Sequence, residues 1–213
     1  MKYYVDITLL PDTDVGLGFI WQKVYQQVHL LLADKKISEH NSAIGLSFPE
    51  YGSKIFPLGD KLRLFAETKE MLTDLNLDKW LNRVSDYVHI KSIKPVPDGV
   101  SEFAFFKRKQ FKSPEKTRKS IDIRARAISE KNGLEFEDVK GKLLSSIDNL
   151  DTHCKLPFIN LKSLSSSGDS SVNKRFLLFI EFQKTESKVR NNPFTCYGLS
   201  RRTPEDEMPV PWF

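Results

Sequence analysis

The chain has 213 residues, 39% of them hydrophobic, and a formal net charge of +5, which fits a folded protein with one large domain or two small ones. No apolar run approaches the roughly 20 residues that a membrane helix needs. The sequence also lacks a G-x-x-x-x-G-K-S/T loop, an H-E-x-x-H motif and a dinucleotide-binding fingerprint, which argues against nucleotide-driven and zinc-protease chemistry.

Strand-like and helix-like patterns alternate over the first 97 residues. Residues 2–10 alternate as a strand does and lack the apolar core and cleavage site of a signal peptide, so we expect a cytoplasmic protein. Residues 17–34 predict a helix, because apolar side chains recur at spacings of three and four. The other predicted elements are strands at 43–48, 61–67 and 84–94 and a helix at about 68–82. This order predicts a ferredoxin-like (RRM-like) domain over residues 1–97, whose sheet is a frequent RNA-binding platform.

A Pro-Asp-Gly segment at 97–99 predicts the boundary to a smaller C-terminal α+β domain, residues 98–213. Neither Cys154 nor Cys196 belongs to a Cys-x-x-Cys pair, and we expect both to be packing residues. The elements predicted here are strands at about 100–111, 157–163, 174–183 and from Phe194, and a basic helix at about 114–131 that is followed by a polar connection. The whole chain is therefore predicted to be of the α+β class.

Positive charge is concentrated in one segment of this half. Residues 107–126 contain nine Lys or Arg against two acidic residues, so the rest of the chain carries a net charge of −2. Such a concentration predicts a phosphate-binding element rather than a generally basic protein. The alternative is a basic helix face that is only solvated.

The predicted basic helix separates apolar from cationic side chains. Ser113 can cap it, and Pro114 suits its first position. Ile121, Ala125 and Ile128 share one narrow face. The cations Lys116, Lys119, Arg124, Arg126 and Lys131 lie opposite, with Arg118 between. Such a helix fits the major groove of an RNA hairpin, and the same pattern would serve a DNA groove or an acidic protein surface.

Two further residues have chemistry suited to RNA. If the strand that ends near residue 110 is extended there, Arg108 and Gln110 point the same way. Arginine can read guanine and glutamine can read adenine, although both residue types are also common on ordinary surfaces. His29 lies about 60° beyond the edge of the apolar face of the first helix. It is a candidate general base, and a structural histidine is the alternative.

Short motifs along the chain resemble those of one family. The specific ones are Phe194-Thr195-Cys196-Tyr197-Gly198-Leu199-Ser200 and the terminal Val210-Pro211-Trp212-Phe213. Others are Tyr4-x-Asp6-Ile7, His29, Ile44-Gly45-x-Ser47-Phe48-Pro49, Lys112-Ser113, Leu156-Pro157-Phe158-x-x-Leu161-x-Ser163 and Arg175-Phe176-x-Leu178-Phe179-Ile180. Together they resemble the type I-F CRISPR-associated endoribonuclease that processes precursor CRISPR RNA.

The resemblance implies roles for individual residues. His29 corresponds to the catalytic histidine, Ser163 to the serine that holds the attacking ribose, and Tyr197 to the tyrosine that orients the histidine. Arg108 and Gln110 match residues that read bases near the foot of the hairpin. The rest of the expected RNA-binding set is Phe176, which matches an aromatic that stacks under the terminal base pair, and the helix residues Lys116, Arg118, Lys119, Arg124 and Arg126.

The implied activity is an endoribonuclease that binds the CRISPR repeat hairpin and cuts at the 3′ base of the stem. The ribose 2′-hydroxyl attacks, without metal or other cofactor, to give a 2′,3′-cyclic phosphate and a 5′-hydroxyl. The protein is expected to stay on the mature RNA as a monomer, beside other subunits of the type I-F surveillance complex and away from membranes. The alternatives are a non-catalytic hairpin-binding subunit and a DNA-binding or structural protein of a nucleoprotein assembly.

Overall fold

The computed structural model describes residues 1–110, 114–148, 155–163, 175–186 and 192–213, without the side chains of 114–119 and 146–148. The fold is mixed α+β, as the sequence predicts. Two compact units are present: residues 1–109 together with 156–213, and residues 110–155. Among the described residues, no helix is both long enough and apolar enough to cross a membrane.

The N-terminal half of the larger unit is built on an antiparallel sheet with the strand order β3-β4-β1-β5. This is the order of a ferredoxin-like sheet, so the predicted arrangement is confirmed. The elements are β1 (Tyr3–Leu9), α1 (Leu17–Asp34), β2 (Asn41–Ser42), β3 (Gly45–Ser47), β4 (Lys61–Ala66), α2 (Lys69–Thr73), α3 (Leu77–Leu81), a 3₁₀ helix (Asn82–Tyr87), β5 (Val88–Ile90) and β6 (Lys94–Pro95).

The prediction of one helix at about 68–82 is wrong in one respect. It is broken into α2 and α3 at Asn76, whose φ of 48° lies in the left-handed region. Asparagine tolerates this conformation better than most residues do, so the chain can turn there. The strand predicted at 84–94 is also shorter than expected, because residues 82–87 form the 3₁₀ helix.

Helix α1 packs its apolar stripe against the core. Ile20, Trp21, Val24, Tyr25, Val28, Leu31 and Leu32 are all buried, in agreement with the predicted periodicity. Trp21 adds a hydrogen bond from its indole nitrogen to the carbonyl of Gly59, at 2.8 Å. The stripe and this bond fix the rotation of α1, and they thereby fix the direction of side chains at the edge of the stripe.

The C-terminal half of the same unit contains a second sheet with the strand order β11-β7-β9-β8. Its strands are β7 (Phe103–Lys109), β8 (Phe158–Lys162), β9 (Arg175–Thr185) and β11 (Val210–Pro211). The strand predicted from Phe194 is β10 (Phe194–Thr195), which pairs with β2 of the first half. The domain boundary expected at residue 97 falls between β6 and β7 and stays a prediction.

The smaller unit is a pair of helices, α4 (Pro114–Asn132) and α5 (Phe136–Asp148). The bounds of α4 confirm the predicted basic helix, whose proposed cap Ser113 lies outside the described residues. The prediction of a polar connection after α4 is wrong, because α5 occupies that part of the chain. Its apolar residues Phe136, Val139, Leu143 and Leu144 recur at spacings of three and four, so the sequence does carry a helical pattern here, between charged and polar residues.

Candidate active site

His29 lies at the edge of the buried stripe of α1 and is half-buried. Its ring nitrogen Nδ1 is 3.0 Å from the backbone carbonyl oxygen of Cys196. A carbonyl oxygen can only accept a hydrogen bond, so in the neutral ring Nδ1 carries the hydrogen. The other nitrogen, Nε2, then keeps its lone pair, which is the form that a general base needs.

A tight turn after β10 presents that carbonyl. The amide of Gly198 donates to the carbonyl of Thr195 at 2.8 Å, and the amide of Thr195 donates to the carbonyl of Leu199 at 2.9 Å. Gly198 has a φ of +69°, and a Cβ added to it would lie 2.3 Å from Cγ of Leu46. Only glycine fits this position. The glycine of the Phe194–Ser200 motif is thus explained by the turn itself.

Tyr197, in the same turn, stacks on the imidazole of His29. The ring centroids are 4.1 Å apart and the planes differ by 3°. The backbone of Tyr197 is held in turn by Tyr25 of α1, whose hydroxyl donates to the Tyr197 carbonyl at 2.8 Å. Burial raises the pKa of Tyr25 well above its ordinary value, which keeps this hydroxyl protonated as a donor.

Tyr25 was not among the residues that the sequence singled out. Its position in the apolar stripe predicts burial only, and it is indeed fully buried. The available signal is the residue type, because a buried tyrosine hydroxyl needs a hydrogen-bond partner. The sequence does not say that this partner lies 172 positions away, in the motif that carries Tyr197.

Arg108, near the end of β7, contacts the same group of rings. Its guanidinium carbon is 5.2 Å from the ring centroid of Phe176 and 5.1 Å from that of Tyr197. These two rings meet edge to face at 6.5 Å. Nε of Arg108 is buried and has no hydrogen-bond partner among the described residues. His29, Tyr197, Arg108 and Phe176 therefore form one continuous array.

The surroundings of His29 lower its pKa from the ordinary value. Burial of the ring is the main cause, because a charged imidazolium loses its hydration. The hydrogen bond to Cys196 opposes the shift, and the positive charge of Arg108 adds to it. The unprotonated form therefore predominates at neutral pH, as general-base chemistry requires.

Ser163 is the first residue after β8, and it is exposed. The amide of the preceding residue, Lys162, donates to the side-chain oxygen Oε1 of Gln26 at 2.9 Å. Gln26 precedes His29 by three positions on α1, which places both side chains on neighbouring parts of the helix surface. The segment that carries Ser163 is thus bonded to the same turn of α1 that carries His29.

Comparison with known proteins agrees with the resemblance seen in the motifs. A family model described as "CRISPR-associated protein (Cas_Csy4)" matches residues 4–213. The chain belongs to this Csy4 family. A relative from Pseudomonas aeruginosa (strain UCBPP-PA14) is named "CRISPR-associated endonuclease Cas6/Csy4". It is 27% identical to the chain over 214 residues, which cover 100% of both proteins.

Within this Csy4-family chain, α4 presents the predicted division of its surface where its side chains are described. Ile121 and Ala125 are buried, and Ile128 is half-buried. On the other faces Arg124, Arg126 and Lys131 are exposed, and Arg126 lies 5.9 Å from the ring centroid of Phe136 in α5. The side chains of Lys116, Arg118 and Lys119 lie outside the described residues, so their predicted roles stay predictions.

Gln110 was expected to point the same way as Arg108. Strand β7 ends at Lys109, and Gln110 follows it as an exposed residue of the smaller unit. Its role in base reading stays a prediction.

Among the described residues, no group of three or more His, Cys, Asp or Glu side chains is arranged to hold a metal ion. Cys196 contributes its backbone carbonyl to the site, while its half-buried thiol has a pKa raised chiefly by burial. The other cysteine, Cys154, lies outside the described residues.

Proposed function

We propose that the protein is an endoribonuclease that binds the hairpin of a CRISPR repeat and cuts precursor CRISPR RNA at the 3′ base of the stem. Membership of the Csy4 family and the name of the Pseudomonas relative support a nuclease of the CRISPR system. The observation that carries the proposal is the state of His29, whose Nδ1 is bonded to Cys196 while its ring stacks on Tyr197.

The chemistry uses a nucleophile that RNA itself supplies. Nε2 of His29 accepts the proton of the ribose 2′-hydroxyl, and the 2′ oxygen forms a bond to the adjacent phosphorus. The bond from phosphorus to the 5′ oxygen then breaks, and this oxygen takes a proton from the solvent, which leaves a 2′,3′-cyclic phosphate and a 5′-hydroxyl. Protonated His29 returns its proton to the solvent. No step requires a metal ion or other cofactor from the protein.

The other residues of the proposed site have separate parts in this reaction. Tyr197 holds the plane of the imidazole through the stacked contact of 4.1 Å. Ser163 holds the ribose so that its 2′ oxygen is in line with the phosphorus, which is where most of the rate gain from positioning arises. Arg108 and Gln110 read bases, and Phe176 stacks under the terminal base pair.

Helix α4 supplies affinity for the hairpin. Its exposed cations, Arg124 and Arg126 among them, neutralise phosphates and release counterions, and Lys116, Arg118 and Lys119 extend this set. We expect one copy of the protein to remain on each mature CRISPR RNA in the cytoplasm, in contact with other subunits of the type I-F surveillance complex.

The direct experiment compares two labelled repeat RNAs in excess chelator. One is all-ribose, and the other carries a single 2′-deoxy sugar at the cutting position. Cutting of the first alone, with a 2′,3′-cyclic phosphate end, is the expected result. Binding of both without cutting would indicate a non-catalytic hairpin-binding subunit, and failure to bind or cut either RNA would indicate a DNA-binding or structural protein.

A further inference from the structure

A side chain of α1 bonds the free edge of the second sheet. In the order β11-β7-β9-β8, β8 is the last strand, so among the described residues its outer amides have no neighbouring strand in the sheet. The amide of Lys162, the last residue of β8, donates instead to Oε1 of Gln26 at 2.9 Å. The outer edge of the strand end is therefore held by a helix side chain, while its inner edge pairs with β9.

One turn of α1 contacts both segments of the candidate site. Tyr25 and His29 bond the carbonyls of Tyr197 and Cys196 in the turn after β10. Gln26, between them in sequence, bonds the strand that leads to Ser163. The same helix therefore carries His29 and holds the segment of Ser163, although these two residues are 134 positions apart in the chain.

The bonding of Gln26 shows which of its atoms matters. Its amide nitrogen Nε2 is buried and has no hydrogen-bond partner among the described residues. An unpaired buried donor opposes folding, so a position that served packing alone would be better filled by an apolar side chain of similar length. A glutamine here is explained by its oxygen and by the strand end that this oxygen holds.

We infer that Gln26 is a positioning residue, which fixes the end of β8 on α1 so that Ser163 meets the ribose beside His29. The inference rests on the proposed function. Displacements of about 1 Å in a positioning group can cost a reaction on the order of 10²-fold. Loss of a single bond that still leaves β8 paired with β9 is expected to cost less, on the order of tenfold.

The first test measures the hydrogen bond between Lys162 and Gln26 itself, independently of cutting. Amide hydrogen exchange of Lys162 is followed by NMR in the wild type and in the variants Gln26→Met, Gln26→Glu and Gln27→Met. Met has similar length but lacks the acceptor, Glu keeps an acceptor oxygen, and Gln27 is the neighbouring glutamine of α1. Exchange should accelerate in Gln26→Met only. Slow exchange in that variant, or fast exchange in Gln26→Glu, would overturn the inference.

The second test measures single-turnover cutting of repeat hairpin RNA at saturating protein. Gln26→Met should cut about tenfold more slowly than the wild type or Gln27→Met, with unchanged affinity for the hairpin. In a Ser163→Ala background, where slow residual cutting is followed over long incubations, Gln26→Met should add no further loss, because it acts through Ser163.

If Gln26→Met slowed cutting equally with Ser163 and with Ser163→Ala, Gln26 would act elsewhere. If it slowed cutting in neither, the hydrogen bond between Gln26 and Lys162 would have no role in cutting. Both results overturn the inference and leave the endoribonuclease intact. A wild-type protein that fails to cut the hairpin would instead overturn the proposed function, whatever the exchange of Lys162.

Discussion

The array around His29 and the surface of α4 use positive charge in opposite ways. At His29 the cation Arg108 is packed between two rings, and its Nε is buried. On α4 the described arginines Arg124 and Arg126 are exposed. A cation fixed in one position can change the reactivity of a particular neighbouring atom. Exposed cations instead neutralise the phosphates of a nucleic acid and supply affinity. We therefore expect substitutions around His29 to change cutting or sequence preference, and substitutions on α4 to change affinity for all hairpins alike.

His29→Ala should give the largest effect and the cleanest separation. Loss of a positioned base is expected to slow cutting roughly 10²–10⁴-fold, while hairpin affinity stays nearly unchanged because the ring contributes no charge at neutral pH. Single-turnover cutting and hairpin titration measure the two quantities. A variant that lost binding but kept cutting would contradict the assigned role.

Gly198→Ala tests the turn that holds the array together. The strained φ and the contact with Leu46 should lower the free energy of unfolding by about 1–3 kcal/mol and slow cutting as Tyr197 shifts. Gly141→Ala is the control, since a Cβ there meets nothing within 4 Å in α5, and it should stabilise by roughly 0.5–1 kcal/mol. Denaturant unfolding that showed equal changes would refute the stated need for glycine.

Arg108→Gln should alter binding and pH dependence together. Loss of base reading is expected to cost about 1–3 kcal/mol of hairpin affinity. In the wild type, cutting should rise with pH and level off above the lowered pKa of His29, since only the unprotonated ring is a base. Removal of the nearby cation raises the pKa of His29, so the rise should move to higher pH. An unmoved profile at saturating protein would show that Arg108 does not act on His29.

Arg124→Ala should give the smallest effect and one that is indifferent to sequence. Binding to different hairpins should weaken by similar amounts, and the slope of log affinity against log salt should fall by about one. Arg124→Lys keeps the charge and serves as the control with an unchanged slope. If Arg124→Ala discriminated between hairpins as Arg108→Gln does, the division between the two regions would fail.

The sequence predicts elements whose burial repeats over many residues. Helix α1 has the bounds expected from its apolar spacing, and α4 begins and ends within a residue of the prediction. Strand β11 has only two residues, which carry no periodicity, so the sequence does not predict it. Helix α5 is a different case, because Phe136, Val139, Leu143 and Leu144 have helical spacing in the sequence. The charged and polar residues around them favoured the wrong prediction of a polar connection.

The candidate site was predictable only in part, because periodicity reports burial and not partners. His29, Tyr197, Arg108 and Phe176 were named from residue chemistry and motif resemblance, and the structure brings these four into contact. Tyr25 and Gln26 were not named. Their hydrogen bonds span 172 and 136 positions of the chain, and nothing local in the sequence records them.

The protonation state of His29 is the point on which the account depends most directly. A ¹H–¹⁵N NMR titration of its imidazole across pH 4 to 8 reports both the tautomer and the pKa. We expect the hydrogen of the neutral ring on Nδ1, bonded to Cys196, and a pKa below the ordinary value for histidine. A neutral ring with its hydrogen on Nε2, or a pKa raised above that value, would contradict the general-base mechanism.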